Sequence, residues 1–313
     1  MKPKALFVML ILWLSFTTIQ ARSTEDVPDK GTYAKFLLVG CYMKPDEEGV
    51  RMYRFDGQTA DVDYPCGLRG ISNPAFLTSD STGNRIYAIG DDEGKSSTAN
   101  ALLFDKESGL LSLLNSQSTD GELPIYITLS PKEYFVLTAN YKGGSITVFS
   151  QDKKGKLQRD TKIIRFAGNG PNKKRQEQSH LHCVTFTPDG KFLLATDLGT
   201  DCIYLFPIGK RPEAGKAHSL LDESRVVRIQ MDSGSGPRHI CFHPNGRFAY
   251  LISELSGKIT VFSYNEGKLE RLQTICLRPF RCRGKCRYPC FIRCKFLYAS
   301  KHLKEDGIIV YSN

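Results

Sequence analysis

The sequence predicts an all-β fold, a β-propeller of four-stranded antiparallel blades. Three observations point there: a repeat of about 50 residues, a strand–turn–strand pattern inside each repeat, and no helix between them. Four segments align: Phe135 to Phe149, Phe192 to Phe206, Phe248 to Phe262 and Phe296 to Tyr311. Each is a short apolar strand, a polar turn rich in Gly, Asn, Asp or Lys, and a second strand with alternating apolar residues. That is the pattern of a β-hairpin.

The remaining strands follow from turn residues. Ile125–Ser130, Cys183–Thr187 and Ile240–His243 each precede a hairpin and run into Pro131-Lys132-Glu133, Pro188-Asp189-Gly190 and Pro244-Asn245-Gly246. A fourth strand, Leu269–Ile275, follows the turn Asn265-Glu266-Gly267-Lys268. The spacing from Phe135 to Phe192 is 57 residues, from Phe192 to Phe248 56, and from Phe248 to Phe296 48. Weaker copies begin at Ile86 and Phe36, which makes six units.

The chain has 313 residues, 41% hydrophobic and 24% charged, too apolar for a disordered protein. Its net charge of +10 and ten cysteines suggest a nucleic-acid binder, a zinc protein or a disulfide scaffold. Both oddities are local. Cys276, Cys282, Cys286, Cys290 and Cys294 share one stretch with six Arg and Lys residues and no acid. The N-terminus has Lys2 and Lys4 before the apolar run Ala5 to Phe16, with small residues at Ala21 and Ser23. That run is shorter than the ~20 residues of a membrane span and matches an export signal over residues 1–21. The expected location is periplasmic or secreted, with no stable membrane insertion once the signal is removed.

Six motifs occur in order: Thr138 to Gly144 (TANYKGG), Gln178 to His182 (QSHLH), Thr187 to Gly190, Asp197 to Asp201 (DLGTD), Gly236 to His239 (GPRH) and Ser253 to Ser256 (SELS). In this order they resemble the seven-bladed propeller lactonases, the family of propeller-type 6-phosphogluconolactonase and carboxy-muconate cyclase. The resemblance implies a propeller seven-bladed by ancestry, here with about six blades over residues 22–313 and the seventh missing. It also implies a lactone hydrolase that opens a sugar lactone by water attack. The alternatives are a non-catalytic or inactivated binding propeller and a muconate-type cycloisomerase.

His182 precedes one expected inner strand, Arg238 precedes the next, and Glu254 lies in the hairpin of that blade. A propeller gathers such blade ends around its central channel. One of these side chains can deprotonate water, and the cation can meet charge developing on a carbonyl oxygen. By itself His182 reads more readily as a structural histidine on a β-edge. The resemblance implies His182, Arg238 and Glu254 as the catalytic set, with Glu254 or His182 as base. It places Asn140, His180, His239 and Lys301 in substrate binding or support. The family pattern Ala-Ser-Asn-Arg is replaced here by Ala299-Ser300-Lys301-His302, so Lys301 could supply charge but not the forked geometry of arginine. No cofactor is expected, because no glycine-rich strand–turn–helix motif is present. The expected partner is a small-molecule lactone, not nucleic acid.

The even ladder Cys282, Cys286, Cys290, Cys294 lacks the paired knuckles of a zinc site, and Pro289 interrupts any helix. A disulfide cluster fits an exported chain. Reading Gly284 to Cys294 one base later gives a peptide resembling what the family carries before its Phe-Leu-Tyr-Ala-Ser strand. Compensating frame shifts over about residues 276–294 account for the stretch, with a damaged sixth blade and poor folding as the expected result.

Overall fold

The computed structural model describes residues 8–10, 34–56, 59–210, 212–276, 290–293, 296–301 and 307–312. They form six antiparallel sheets arranged as propeller blades, each ordered along the chain. Blade one holds β1 (Val8–Leu10), β2 (Ala34–Cys41), β3 (Val50–Asp56) and β4 (Val62–Leu68). Blade two holds β5 (Leu77–Ser79), β6 (Arg85–Asp91), β7 (Ser97–Asp105) and β8 (Leu110–Ser118). Blade three is β9 (Pro124–Leu129), β10 (Phe135–Asn140), β11 (Ser145–Gln151) and β12 (Leu157–Arg165). Blade four is β13 (Leu181–Phe186), β14 (Phe192–Asp197), β15 (Cys202–Pro207) and β16 (Val227–Gln230). Blade five is β17 (Pro237–Phe242), β18 (Phe248–Ser253), β19 (Lys258–Asn265) and β20 (Lys268–Cys276). In blade six the described strands are β21 (Cys290–Arg293), β22 (Phe296–Lys301) and β23 (Gly307–Ser312).

All six expected hairpins form, from β2–β3 to β22–β23. The middle strands are sandwiched between neighbouring blades, so β10 and β11 are buried along their whole length. This explains why their sequences run nearly continuously apolar instead of alternating. The outer strand β20 is mostly exposed and correspondingly polar. The core lies between blades: one cluster joins Phe135, Leu137 and Val148 of blade three to Val184, Tyr204 and Phe206 of blade four. Another joins Leu194 and Ile203 to Ile240, Leu251 and Phe262 of blade five.

The inner strands begin earlier than the sequence suggests, at Pro124, Leu181 and Pro237. Pairing continues past an irregularity at the start of each strand, which sequence patterning does not reveal. Most of the expected signal segment lies outside the described residues; Val8–Leu10 pairs as an edge strand with Val39–Cys41. Residues 277–289 and 294, with Cys282, Cys286 and Cys294, also lie outside them. Cys290–Arg293 takes the innermost described place in blade six, opposite Phe296–Ala299. Among the described residues, Cys41, Cys66, Cys183, Cys202, Cys241 and Cys276 form no disulfide.

Candidate active site

Three blades enter their inner strands in the same way. In blade three, Pro124 pairs with Asn140 and Tyr126 with Ala139, leaving Ile125 as the extra residue. In blade four, Leu181 pairs with Asp197 and Cys183 with Thr196, leaving His182. In blade five, Pro237 pairs with Ser253 and His239 with Ile252, leaving Arg238. Each extra residue is a β-bulge, a local kink that redirects a side chain. His182 and Arg238 therefore lie inside their strands, not before them. The backbone hydrogen bonds confirm the equivalence: Tyr141, Leu198 and Glu254 donate to Leu123, His180 and Gly236 respectively.

Two buried aspartates of the DLGTD motif fix the strand entries. Asp197 accepts from the Ser179 hydroxyl, the His180 and Gly199 backbone N–H groups and the Thr200 hydroxyl, at 2.7 to 2.9 Å. Asp201 accepts from the Gly234 and Gly236 N–H groups at 2.6 and 2.8 Å. These bonds hold the chain ahead of His182 and Arg238. Gly236 has φ +63, and a Cβ there would meet Leu255 Cγ at 2.5 Å, so this entry requires glycine.

At the blade ends the charged side chains converge on Glu254, whose side chain is 3% exposed. Arg175 Nη2 donates to Glu254 Oε1 at 2.7 Å, and Arg238 Nε donates to Oε2 at 3.2 Å. His182 Nε2 faces the same Oε2 at 3.6 Å. Arg175 Nη2 also reaches the Tyr141 hydroxyl at 3.2 Å. Tyr141 stacks on His180 with ring centroids 4.4 Å apart and makes a T-shaped contact with the ring of His182 at 5.5 Å.

Burial opposes ionisation of Glu254. The close approach of His182 and the positive charges of Arg238 and Arg175 outweigh it, holding the carboxyl far below the usual range. His182 is pushed down to about 4, first by burial and then by the Arg238 charge. His239 is depressed for the same reasons, with His182 adding to the effect. At neutral pH the cluster thus holds two guanidinium ions, one carboxylate and two neutral imidazoles. It can bind an anionic oxygen and accept a proton.

Next to the bulges, aromatic rings from three blades pack together. Phe76, Tyr126 and His239 pack ring to ring, with centroids 4.1 Å (Phe76–Tyr126) and 5.3 Å (Tyr126–His239) apart. His182 contacts His239 at 5.1 Å. Burial pushes the neighbouring Cys183 thiol up to about 12, which leaves it inert as a nucleophile. Among the described residues no group of three or more His, Cys, Asp or Glu is placed to hold a metal ion. A groove of about 420 Å³ at blade two lies apart from the cluster. Two of its hydroxyls are engaged internally, Ser97 to Asp91 and Ser118 to Asp120.

The structure brings together His182, Arg238 and Glu254, with His239 beside them. His180 acts from behind: its ring is held by the Tyr141 carbonyl at 3.0 Å and by Glu177 at 3.1 Å. Asn140 is buried within its own blade. Its amide accepts from Thr138 and donates to Ser145 and Thr147 at 2.9 to 3.1 Å inside blade three, a brace for the hairpin. Lys301 ends β22 opposite Gly307, and its side chain and His302 lie outside the described residues. Arg175 was missed. It sits in Lys173-Lys174-Arg175, which reads as a solvated charge run, yet its side chain is only 19% exposed. Backbone bonds from Arg175 and Gln176 to the Asn172 carbonyl, and a bond from the Gln176 side-chain amide to the Leu198 carbonyl, fold that loop over the site.

Known proteins share this architecture. The chain is 33% identical to the 6-phosphogluconolactonase of Bacillus subtilis over 245 residues, 77% of this chain and 66% of that one. It is 29% identical to the Formosa agariphila 6-phosphogluconolactonase over 286 residues, 88% of this chain and 78% of that one. A Bacteroides fragilis protein solved as a candidate 6-phosphogluconolactonase superposes with a TM-score of 0.82 at 36% identity, covering 91% of this chain and 80% of that one. The periplasmic gluconolactonase PpgL of Pseudomonas aeruginosa gives 0.78 at 28% identity, covering 89% and 78%. The profile described as "Lactonase, 7-bladed beta-propeller" matches residues 36–313. The chain belongs to the seven-bladed β-propeller lactonase family.

Proposed function

We propose that this chain is a lactone hydrolase that opens a sugar lactone by general-base attack of water, with His182 as the base. One observation carries the choice of base: two of the converging side chains are guanidinium ions that hold Glu254 as an anion, which leaves the neutral His182, whose Nε2 faces that carboxylate. A neutral imidazole with its proton on Nε2 leaves the Nδ1 lone pair for a water proton. Glu254, fixed as an anion between two arginines, cannot serve as an acid at neutral pH. It orients the ring and stabilises the imidazolium that forms.

The steps balance without a further reactant. Water gives its proton to His182 Nδ1 as its oxygen bonds to the lactone carbonyl carbon. The resulting oxyanion is met by the guanidinium groups of Arg238 and Arg175. As the carbonyl re-forms, the bond to the ring oxygen breaks, and His182 returns the proton to that oxygen. The product is an open hydroxy acid.

We also propose that the chain is exported. The signal-like residues 1–21 support this, as does the similarity to a periplasmic protein. Export favours an unphosphorylated sugar lactone, since phosphorylated sugars are cytoplasmic metabolites. Acid release from δ-gluconolactone and from its 6-phosphate, corrected for spontaneous opening, tests the reading. Hydrolysis lost in His182→Ala with the fold retained is the expected result. Ligand binding without turnover in the wild type would instead mark a binding propeller.

A further inference from the structure

Tyr141, the first residue past β10, stands between two parts of the site and has no role in the chemistry above. Its ring is packed on two sides, stacked on His180 at an interplanar angle of 13° and T-shaped against His182 at 81°. Its backbone N–H donates to the Leu123 carbonyl at 2.8 Å, which fixes the main chain as well. The hydroxyl accepts from Arg175 Nη2 at 3.2 Å. One side chain thus touches both the base and a guanidinium that meets the oxyanion.

A phenol oxygen that accepts from a cation keeps its own proton to give. Among the described residues the Tyr141 O–H has no acceptor, and Arg175 Nη1, the other arm of the fork, is buried with no hydrogen-bond partner. Nη1 and Nη2 share one carbon, so Nη1 and the hydroxyl are near enough for a single oxygen to accept from both. Accepting from a guanidinium also polarises the O–H and strengthens it as a donor. Burial pushes the phenol above its ordinary value, against the opposing bond from Arg175, so its proton is in place at neutral pH. The side chain is only half-buried, which leaves a ligand a line of approach.

We infer that Tyr141 is a further catalytic residue, whose hydroxyl donates a hydrogen bond to the lactone carbonyl oxygen as it becomes an oxyanion. This rests on the lactonase reading. The proton stays on the phenol oxygen throughout, and His182 still returns its own proton to the leaving ring oxygen. Tyr141→Phe removes the donor and keeps both ring contacts. Loss of one such donor lowers kcat for δ-gluconolactone about 100-fold, with KM within threefold. A residue that only held Arg175 in place would cost nothing further in an Arg175→Met background. As a donor, Tyr141 still costs at least tenfold there.

Calorimetry with two unreactive probes keeps the two readings separable: D-glucono-δ-lactam, which has the carbonyl, and 1,5-anhydroglucitol, which lacks it. Tyr141→Phe weakens the lactam at least fivefold and leaves anhydroglucitol within twofold. A wild type that hydrolyses no lactone overturns the enzymatic reading, while this split in affinity still upholds the contact. A wild type that also fails to bind the lactam overturns both. Folded Tyr141→Phe with kcat and lactam affinity within twofold of wild type overturns the inference, as does a cost that vanishes in Arg175→Met. Should Tyr141→Phe not fold, near-ultraviolet difference spectra of the wild type decide: the lactam shifts the tyrosine band to the red and anhydroglucitol does not, and identical spectra overturn the contact.

Discussion

Replacing Glu254 with glutamine keeps the shape of the side chain and removes the charge on which Arg175 and Arg238 converge. The two contacts, 2.7 and 3.2 Å, place opposite charges at close range inside the protein. A pair with charge centres about 4 Å apart attracts by ~4 kcal/mol at an effective dielectric of ~20. Much of that attraction offsets the cost of taking the ions out of water. The net loss on breaking such a buried pair is about 3–5 kcal/mol, because the surviving charges stay buried and uncompensated. Glu254→Gln should therefore unfold in urea with about that loss of stability, followed by circular dichroism. Arg175→Met removes one of the stranded charges. The double variant Glu254→Gln/Arg175→Met should then be at least ~1 kcal/mol more stable than the sum of the single losses, since contacting residues couple. Hydrolysis should fall about 100-fold or more in every variant lacking Glu254, as His182 loses its orienting partner. A loss below ~1 kcal/mol for Glu254→Gln, or losses that add within ~0.5 kcal/mol, would refute this account of the cluster.

Further outcomes follow from the same geometry. With His182 held at about 4, kcat/KM should stay level from about pH 7 to 5 and fall along an acid limb near 4; a limb between 6 and 7 would exclude His182 as the base. Stability follows the same group: its folded value lies below its unfolded ~6.5, so the unfolded chain binds the proton first. Stability should then decline as pH falls from ~6.5 toward 4, by roughly 3 kcal/mol in all, with Glu254 adding a loss below the ordinary carboxylate range. Arg175→Lys keeps the charge on a shorter side chain without the planar fork, so the contacts that Nη2 makes to Tyr141 and Glu254 lengthen and kcat/KM should drop about 10- to 100-fold by initial-rate kinetics. Asn140→Ala should cost about 2–3 kcal/mol in urea titration and leave KM unchanged, because its three hydrogen bonds brace the hairpin.

The parts of this protein legible in the amino-acid sequence are those set by neighbours along the chain. Each hairpin announces itself through an apolar strand, a turn of Gly, Asn, Asp or Lys, and a second strand, as in Phe248 to Phe262. The spacing of these units gave the propeller, and the ordered motifs gave the family and the trio His182, Arg238 and Glu254. Tertiary structure decided how the trio is arranged. The bulges that turn His182 and Arg238 toward Glu254 are irregularities of pairing between strands and leave no mark in hydrophobic periodicity. Arg175 lies 79 residues from Glu254, and nothing local separates it from the exposed Lys173 and Lys174. Asn140 and Tyr141 stand side by side in one motif, yet one faces the blade interior and the other the ring of His182. Which charges are buried, and which partners hold them, depends on contacts across blades, and only the folded chain brings those together.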